Sequence, residues 1–181
     1  KKFKIIGFVD KKKIINRKHG VAYLGNDDKL ISLKKKTSNV HISFGQIKNL
    51  NRRADYFKKL KKFKFQFPKI VSLNSYVSKK SIIGDGTIIM HGVLIGPNVK
   101  IGSNCIINTG SIIEHDVKID DHCHISTGSI INGGVNIGSQ SFIGSGTVIK
   151  QDVKIGKKCF VNANLFIDRN LTNNSIKKKN G

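Results

Sequence analysis

Six histidines and three cysteines are the residues of this 181-residue chain whose types could do chemistry. His115 is followed directly by Asp116. An imidazole titrates near physiological pH, which suits a general base. A carboxylate beside it favours the imidazolium and fixes the tautomer. His122 and His124 follow, on either side of Cys123. His91, His115, His122 and His124 are spaced 24, 7 and 2 apart. Asp121 adds little to the His122–His124 pair as a ligand set, and no metal is expected. Cys105, Cys123 and Cys159 differ by 18 and 36, a regularity that points to structure before reactivity.

The elements that position these residues repeat every six residues. Counted from Ser75, the third position of each hexad runs Val77, Ile83, Ile89 and onward to Ile167, and it is Ile or Val sixteen times without a break in phase. Gly, Asn or Asp often follows it, as at Gly84, Gly102, Asn108, Asp120 and Gly138. Such residues tolerate tight corners. A short fixed period with an aliphatic and a corner residue is the signature of a parallel β-helix.

The first part of the chain reads differently. Phe3–Val9 and Val40–Phe44 read as strands, Leu50, Ala54, Phe57 and Leu60 fall on one helical face, and 63–71 is extended around Pro68. That order predicts a parallel α/β layer. No Gly-x-Gly-x-x-Gly appears, and Gly25-Asn26-Asp27-Asp28 reads as a turn.

Charge divides the same way. The chain has 33 Lys and Arg against 11 Asp and Glu, net +22. Residues 1–74 hold 21 basic and 4 acidic residues, while residues 75–170 hold 9 and 7. Nucleic acid, anionic lipid and phosphorylated small molecules are the partners such charge could attract. The lysines are scattered and lack interleaved aromatics for base stacking, so a solvated surface is the simpler reading. No apolar run is long enough to cross a membrane. No signal peptide opens the chain, and three unpaired-looking cysteines suit a reducing cytosol, so a cytoplasmic location is expected.

The repeat resembles that of the hexapeptide-repeat acyltransferases. The resemblance implies a left-handed β-helix, an exception to the right-handed crossover rule. Three hexads would make one triangular coil, with first and third positions inward. The cysteines then share an inward column with Thr87 and Ser141, as small core fillers. Second positions point outward. One face carries Tyr76, Leu94, Ile112, Ile130, Val148 and Phe166, and the next carries Ile82, Lys100, Lys118, Asn136 and Lys154. The third carries Ile88, Ile106, His124, Phe142 and Phe160. Two apolar outer faces call for cover, and a homotrimer, the assembly of the resembling enzymes, would supply it.

The runs Asn108-Thr109-Gly110-Ser111-Ile112-Ile113-Glu114-His115-Asp116 and His122-Cys123-His124-Ile125-Ser126 are similar to one subgroup. It contains the sialic acid O-acetyltransferase-like enzymes and the N-acetyltransferases of nucleotide-linked 4-amino sugars. The resemblance implies an α/β nucleotide-sugar domain, incomplete here, over residues 1–72 and a left-handed β-helix acyltransferase domain over 73–181. It implies that His115 is the general base and that Asp116 raises its basicity. His124 would lie near the acetyl group of acetyl-CoA, and Gly133 would offer its N–H to the thioester oxygen. Ser145 and Ala163 would meet the pantetheine arm, and Asp10 the nucleotide. The expected activity is direct acetyl transfer from acetyl-CoA to an amino or hydroxyl group of a nucleotide-linked sugar in bacterial surface-glycan biosynthesis. The family's opening Gly-rich turn and closing Gly-x-Pro-Ala-like segment are missing, so both ends read as trimmed. A non-catalytic β-helix trimer and a basic nucleic-acid-binding protein are the alternatives.

Overall fold

The computed structural model describes residues 3–11, 20–47 and 49–178. From Ile70 to Lys177 the chain winds into a left-handed parallel β-solenoid of about six coils. Its strands are two residues each, from β1 (Ile70–Val71) to β18 (Ile176–Lys177). Each pairs with the strand 18 residues away: Ile112 with Ile130, His124 with Phe142, Asn136 with Lys154. Three sheets of six, five and seven strands form the first, second and third faces of the prism. The last coil is shorter, with Phe160 paired to Ile176.

The third hexad position fills the core. Ile95, Ile107, Ile125, Ile131, Ile143 and Ile149 are completely buried, each contributing about 2 kcal/mol of apolar burial. The first position is more than filler. Thr87 Oγ1 donates to the Gly102 carbonyl at 2.7 Å, Ser111 Oγ to Ser126 at 2.8 Å and Ser141 Oγ to Gly156 at 2.8 Å. Cys105 and Cys123 follow the same rule: their thiols donate to the carbonyls of Asp120 and Gly138 at 3.2 Å. Each bond spans fifteen residues and secures a corner carbonyl that no strand reaches. Burial raises the pKa of the Cys123 and Cys159 thiols, which keeps them neutral donors.

Among the described residues the expected α/β layer is not seen as a sheet. Among the described residues before Ile70 there are no strands, only the isolated bridges Phe8–Tyr23 and Asn39–Gln66. The carbonyls of Ile42 and Phe44, which a neighbouring strand would take, instead accept hydrogen bonds from the Arg53 guanidinium. The predicted helix does form. It is α2 (Arg52–Lys62), after a short α1 (Leu30–Leu33), and Leu50 lies just ahead of it. Ala54, Phe57 and Leu60 of α2 are buried, and the latter two join Leu30, Ile42, Phe65 and Phe67 in a second small core. The Gly25–Asp28 turn leads into a 3-10 turn over Asp27–Lys29 and then α1.

This N-terminal segment lies on the third face. Phe57 packs edge-on to His122, Arg53 Nε donates to the Asn104 carbonyl at 3.3 Å, and Gln46 Nε2 donates to the Gln140 carbonyl at 3.3 Å. Asn104, His122 and Gln140 are the same corner of three successive coils. The third face is therefore covered by its own chain at this level, not left open for a trimer partner. The first face stays bare: Tyr76 and Phe166 are 61% and 65% exposed.

Candidate active site

His115 stands at the trailing edge of the first face, in the corner that closes β8 (Ile112–Ile113). Strand register stacks three corners here: 96–98 below, 114–116 in the middle, 132–134 above. Asp116 N–H donates to the Pro97 carbonyl and Gly134 N–H to the His115 carbonyl, both at 3.0 Å. Asn98, Asp116 and Gly134 close their corners with φ of 60°, 61° and 71°. Asn and Asp tolerate this left-handed geometry because their short polar side chains bond locally.

Left-handed geometry turns Asp116 back beside its neighbour. Its Oδ2 lies 2.8 Å from His115 Nδ1, and its Oδ1 lies 3.1 Å from Asn98 Nδ2. Those two hydrogen bonds, His115 first and Asn98 second, hold the Asp116 carboxyl below the usual carboxylate range. An ionised carboxylate can only accept, so Nδ1 carries a proton, and in the neutral imidazole Nε2 is the nitrogen with the free lone pair. The ring rests against Gly133. A Cβ built there would stand 2.6 Å from both Cε1 and Nε2, so any side chain at this position would displace the imidazole. The arrangement can take a proton at Nε2 from an acceptor held beside a backbone glycine.

The other predicted site residues lie elsewhere. Ser145 and Ala163 occupy successive corners at the leading edge of the first face, both exposed, with Ser145 Oγ 2.8 Å from Ser126 Oγ. Asp10 is in the N-terminal segment, where its N–H donates to the Gly25 carbonyl at 3.2 Å and its carbonyl accepts from the Tyr23 hydroxyl. His124, in β10 (His124–Ile125), is on the third face and only 5% exposed. It meets Phe142 edge-to-face at 5.1 Å, and neither ring nitrogen has a hydrogen-bond partner. Burial pushes its pKa down to about 4, with Arg53 acting the same way and the Gln46 backbone opposing. His124 is thus buried in the third-face sheet, while His115 closes a strand of the first-face sheet. Among the described residues no three His, Cys, Asp or Glu side chains converge as metal ligands would.

The sequence reading missed Asn98, Gln46 and Arg53. Asn98 lies one coil, 18 residues, before Asp116, and that offset was the signal that could have found it. Nothing periodic marked Gln46 or Arg53.

Comparison with known proteins agrees with this layout. No curated protein matches the chain. The perosamine N-acetyltransferase PerB from Caulobacter crescentus, solved with CoA and GDP-perosamine, is 28% identical. The match covers 88% of this chain and 76% of that one, with a TM-score of 0.84. The acetyltransferase domain of PglB from Neisseria gonorrhoeae, solved with acetyl coenzyme A, matches at 23% identity over 94% and 82% of the two chains, TM-score 0.88. WeeI from Acinetobacter baumannii matches at 23% over 94% and 81%, TM-score 0.85. These last two share the fold. The family model described as the GMPPB C-terminal domain matches residues 71–180, a span holding every solenoid residue discussed above except Ile70. This chain is thus a hexapeptide-repeat protein, and it belongs to the GMPPB C-terminal domain family.

Proposed function

We propose that this protein transfers an acetyl group from acetyl-CoA to an amino group on a nucleotide-linked sugar, with His115 as general base. The observation that carries the reading is the His115–Asp116 pair, its Nδ1 tied and its ring set against Gly133. Likeness to a GDP-perosamine N-acetyltransferase solved with CoA and GDP-perosamine supports both the donor and the acceptor class, and its N-acetyl chemistry favours an amine over a hydroxyl. The neutral amine attacks the thioester carbonyl, Nε2 takes the amine proton as the C–N bond forms, and the imidazolium returns that proton to the sulfur as the C–S bond breaks and CoA leaves as the thiol. The N–H of Gly133 is the proposed donor to the developing oxyanion. Asp116 fixes the tautomer of His115 and stabilises the imidazolium. Ser145 and Ala163 are proposed to meet the pantetheine arm and Asp10 the nucleotide. Acetyl contact at His124 requires Gln46 to move aside.

The bare first face supports a homotrimer in which the leading edge of one subunit meets the trailing edge of the next, which would bring Ser145 and Ala163 toward His115. Leu94→Asp on that face is expected to yield monomers by light scattering; a wild-type monomer at micromolar concentration would refute the assembly. The function itself is tested with acetyl-CoA and a panel of nucleotide-linked amino sugars, hydroxyl-only sugars and sialic acid, read by thiol release. Turnover confined to amino sugars is expected. Acetylation of hydroxyl-only acceptors would overturn the amine assignment, and no thiol release with any acceptor would overturn the reading.

A further inference from the structure

We infer that Asn98 is a positioning residue: its side-chain amide holds the Asp116 carboxylate in the orientation that keeps the His115 proton on Nδ1 and presents Nε2 as the proton acceptor. The inference rests on the reading of His115 as the base.

Asp116 sits on an exposed corner, where a carboxylate is free to rotate unless both oxygens are engaged. Both are. Oδ2 meets His115 in its own coil, and Oδ1 meets Asn98 one coil below. The reach is built into the stack. Asn98 and Asp116 occupy the same left-handed corner position 18 residues apart, and the Asp116 N–H is tied to the carbonyl of Pro97, next to Asn98. Another edge of the prism uses the same device. There Asn104 Nδ2 lies 2.9 Å from His122 Nδ1, again one coil apart at left-handed corners.

What differs at the His115 edge is the coil above. Gly134 holds the equivalent corner position and has no side chain to draw Asp116 upward, and Gly133 leaves the ring its space. The carboxylate thus has a donor below, a blank above and the imidazole beside it. With Asn98 absent, one oxygen loses its donor, the carboxylate rotates, and the Nδ1–H tautomer loses its preference over Nε2–H. Misorienting a base in this way costs rate with little effect on substrate binding.

Two variants separate the hydrogen bond from the fold. Asn98→Gly keeps the left-handed backbone and deletes the amide. Asn98→Asp keeps the shape and removes the donor. In nitrogen-15 spectra of the full chain, His115 is expected as the Nδ1–H tautomer in the wild type and as a mixture in both variants. An unchanged tautomer in both would overturn the inference. Both variants are expected to lose roughly 5- to 30-fold in kcat, with KM for acetyl-CoA within about twofold. Asn98→Gln, a residue that takes the same backbone geometry at Gln140, is expected to recover part of the loss. In a His115→Ala background, Asn98→Gly is expected to cost nothing more, because residues acting as a unit are not additive; a full further loss would overturn the coupling. If His115→Ala alone keeps full turnover, the base reading fails, while the tautomer measurement still decides what Asn98 does.

Discussion

In the solenoid, a backbone group finds its partner at a fixed offset. Ile112 N–H meets the Ser129 carbonyl, Ile130 meets Thr147, Val148 meets Leu165, and the first-position hydroxyls of Ser111, Ser129 and Thr147 secure the corner carbonyls of Ser126, Gly144 and Asn162. The N-terminal segment has no such offset. Two of its carbonyls and one of the solenoid's converge on the single side chain of Arg53. That guanidinium is nearly fully buried, and desolvation lowers its pKa to about 10, still protonated at neutral pH. The contrast is between redundancy and dependence. A solenoid coil leans on two neighbours with the same contacts repeated, whereas the segment across the third face leans on contacts that occur once.

That contrast predicts where each region breaks. The largest effect should be chemical and confined to the solenoid: His115→Ala is expected to lower turnover ~10²- to 10⁴-fold with little change in thermal melting. Unchanged turnover, or a collapsed fold, would show that the corner is structural. Next comes Arg53→Leu, which leaves the Ile42, Phe44 and Asn104 carbonyls without their donor. Loss of about 4 kcal/mol is expected, and it should be local. Hydrogen exchange should speed at Ala54 and Phe57 while Ile131 and Ile143 stay protected; equal loss in both regions would erase the distinction.

Acid should act on the same boundary. Burial, with the Arg53 charge beside it, lowers the pKa of both His41 and His124 from 6.5 to about 4 and holds them neutral. Above pH 6.5 they are neutral in folded and unfolded chains alike. As pH falls from 6.5 toward 4, only the unfolded form takes up the proton, so stability falls. The loss at His124 approaches roughly 3 kcal/mol by pH 4. Proteolysis between pH 7 and 4.5 is therefore expected to open the N-terminal segment first, and pH-independent protection would contradict it. The smallest effect is inside the solenoid. Cys123→Ser replaces one donor by another of the kind already found at Ser141, and a change under about 1 kcal/mol is expected. Cys123→Val, which orphans the Gly138 carbonyl, should cost more, about 1–2 kcal/mol. Equal melting points for the two would remove the donor role of the thiol.

The same redundancy explains what could be read in advance. The sixteen aliphatic third positions, the inward cysteine column and the apolar first face were all legible, because each is repeated and each repeat reports the same environment. His115 and Asp116 were legible because they are adjacent. Gln46 closing over His124 was not, since 78 residues separate them and neither belongs to a pattern that includes the other. The strand expected over Val40–Phe44 stops at its start for a related reason: Val40 N–H meets the Gln66 carbonyl, but the Ile42 and Phe44 carbonyls beyond it go to Arg53.

The sequence by itself determined the coil, its period, its core and the pairing of an imidazole with a carboxylate, since all of these depend on residues at short or regular separations. Tertiary structure alone decided which face would be covered, that Arg53 would be buried among carbonyls, and that His124 would be sealed beneath the N-terminal segment. Those outcomes depend on which surfaces meet once the coils have stacked, and on which donor reaches a buried acceptor first, and neither is encoded in a local pattern.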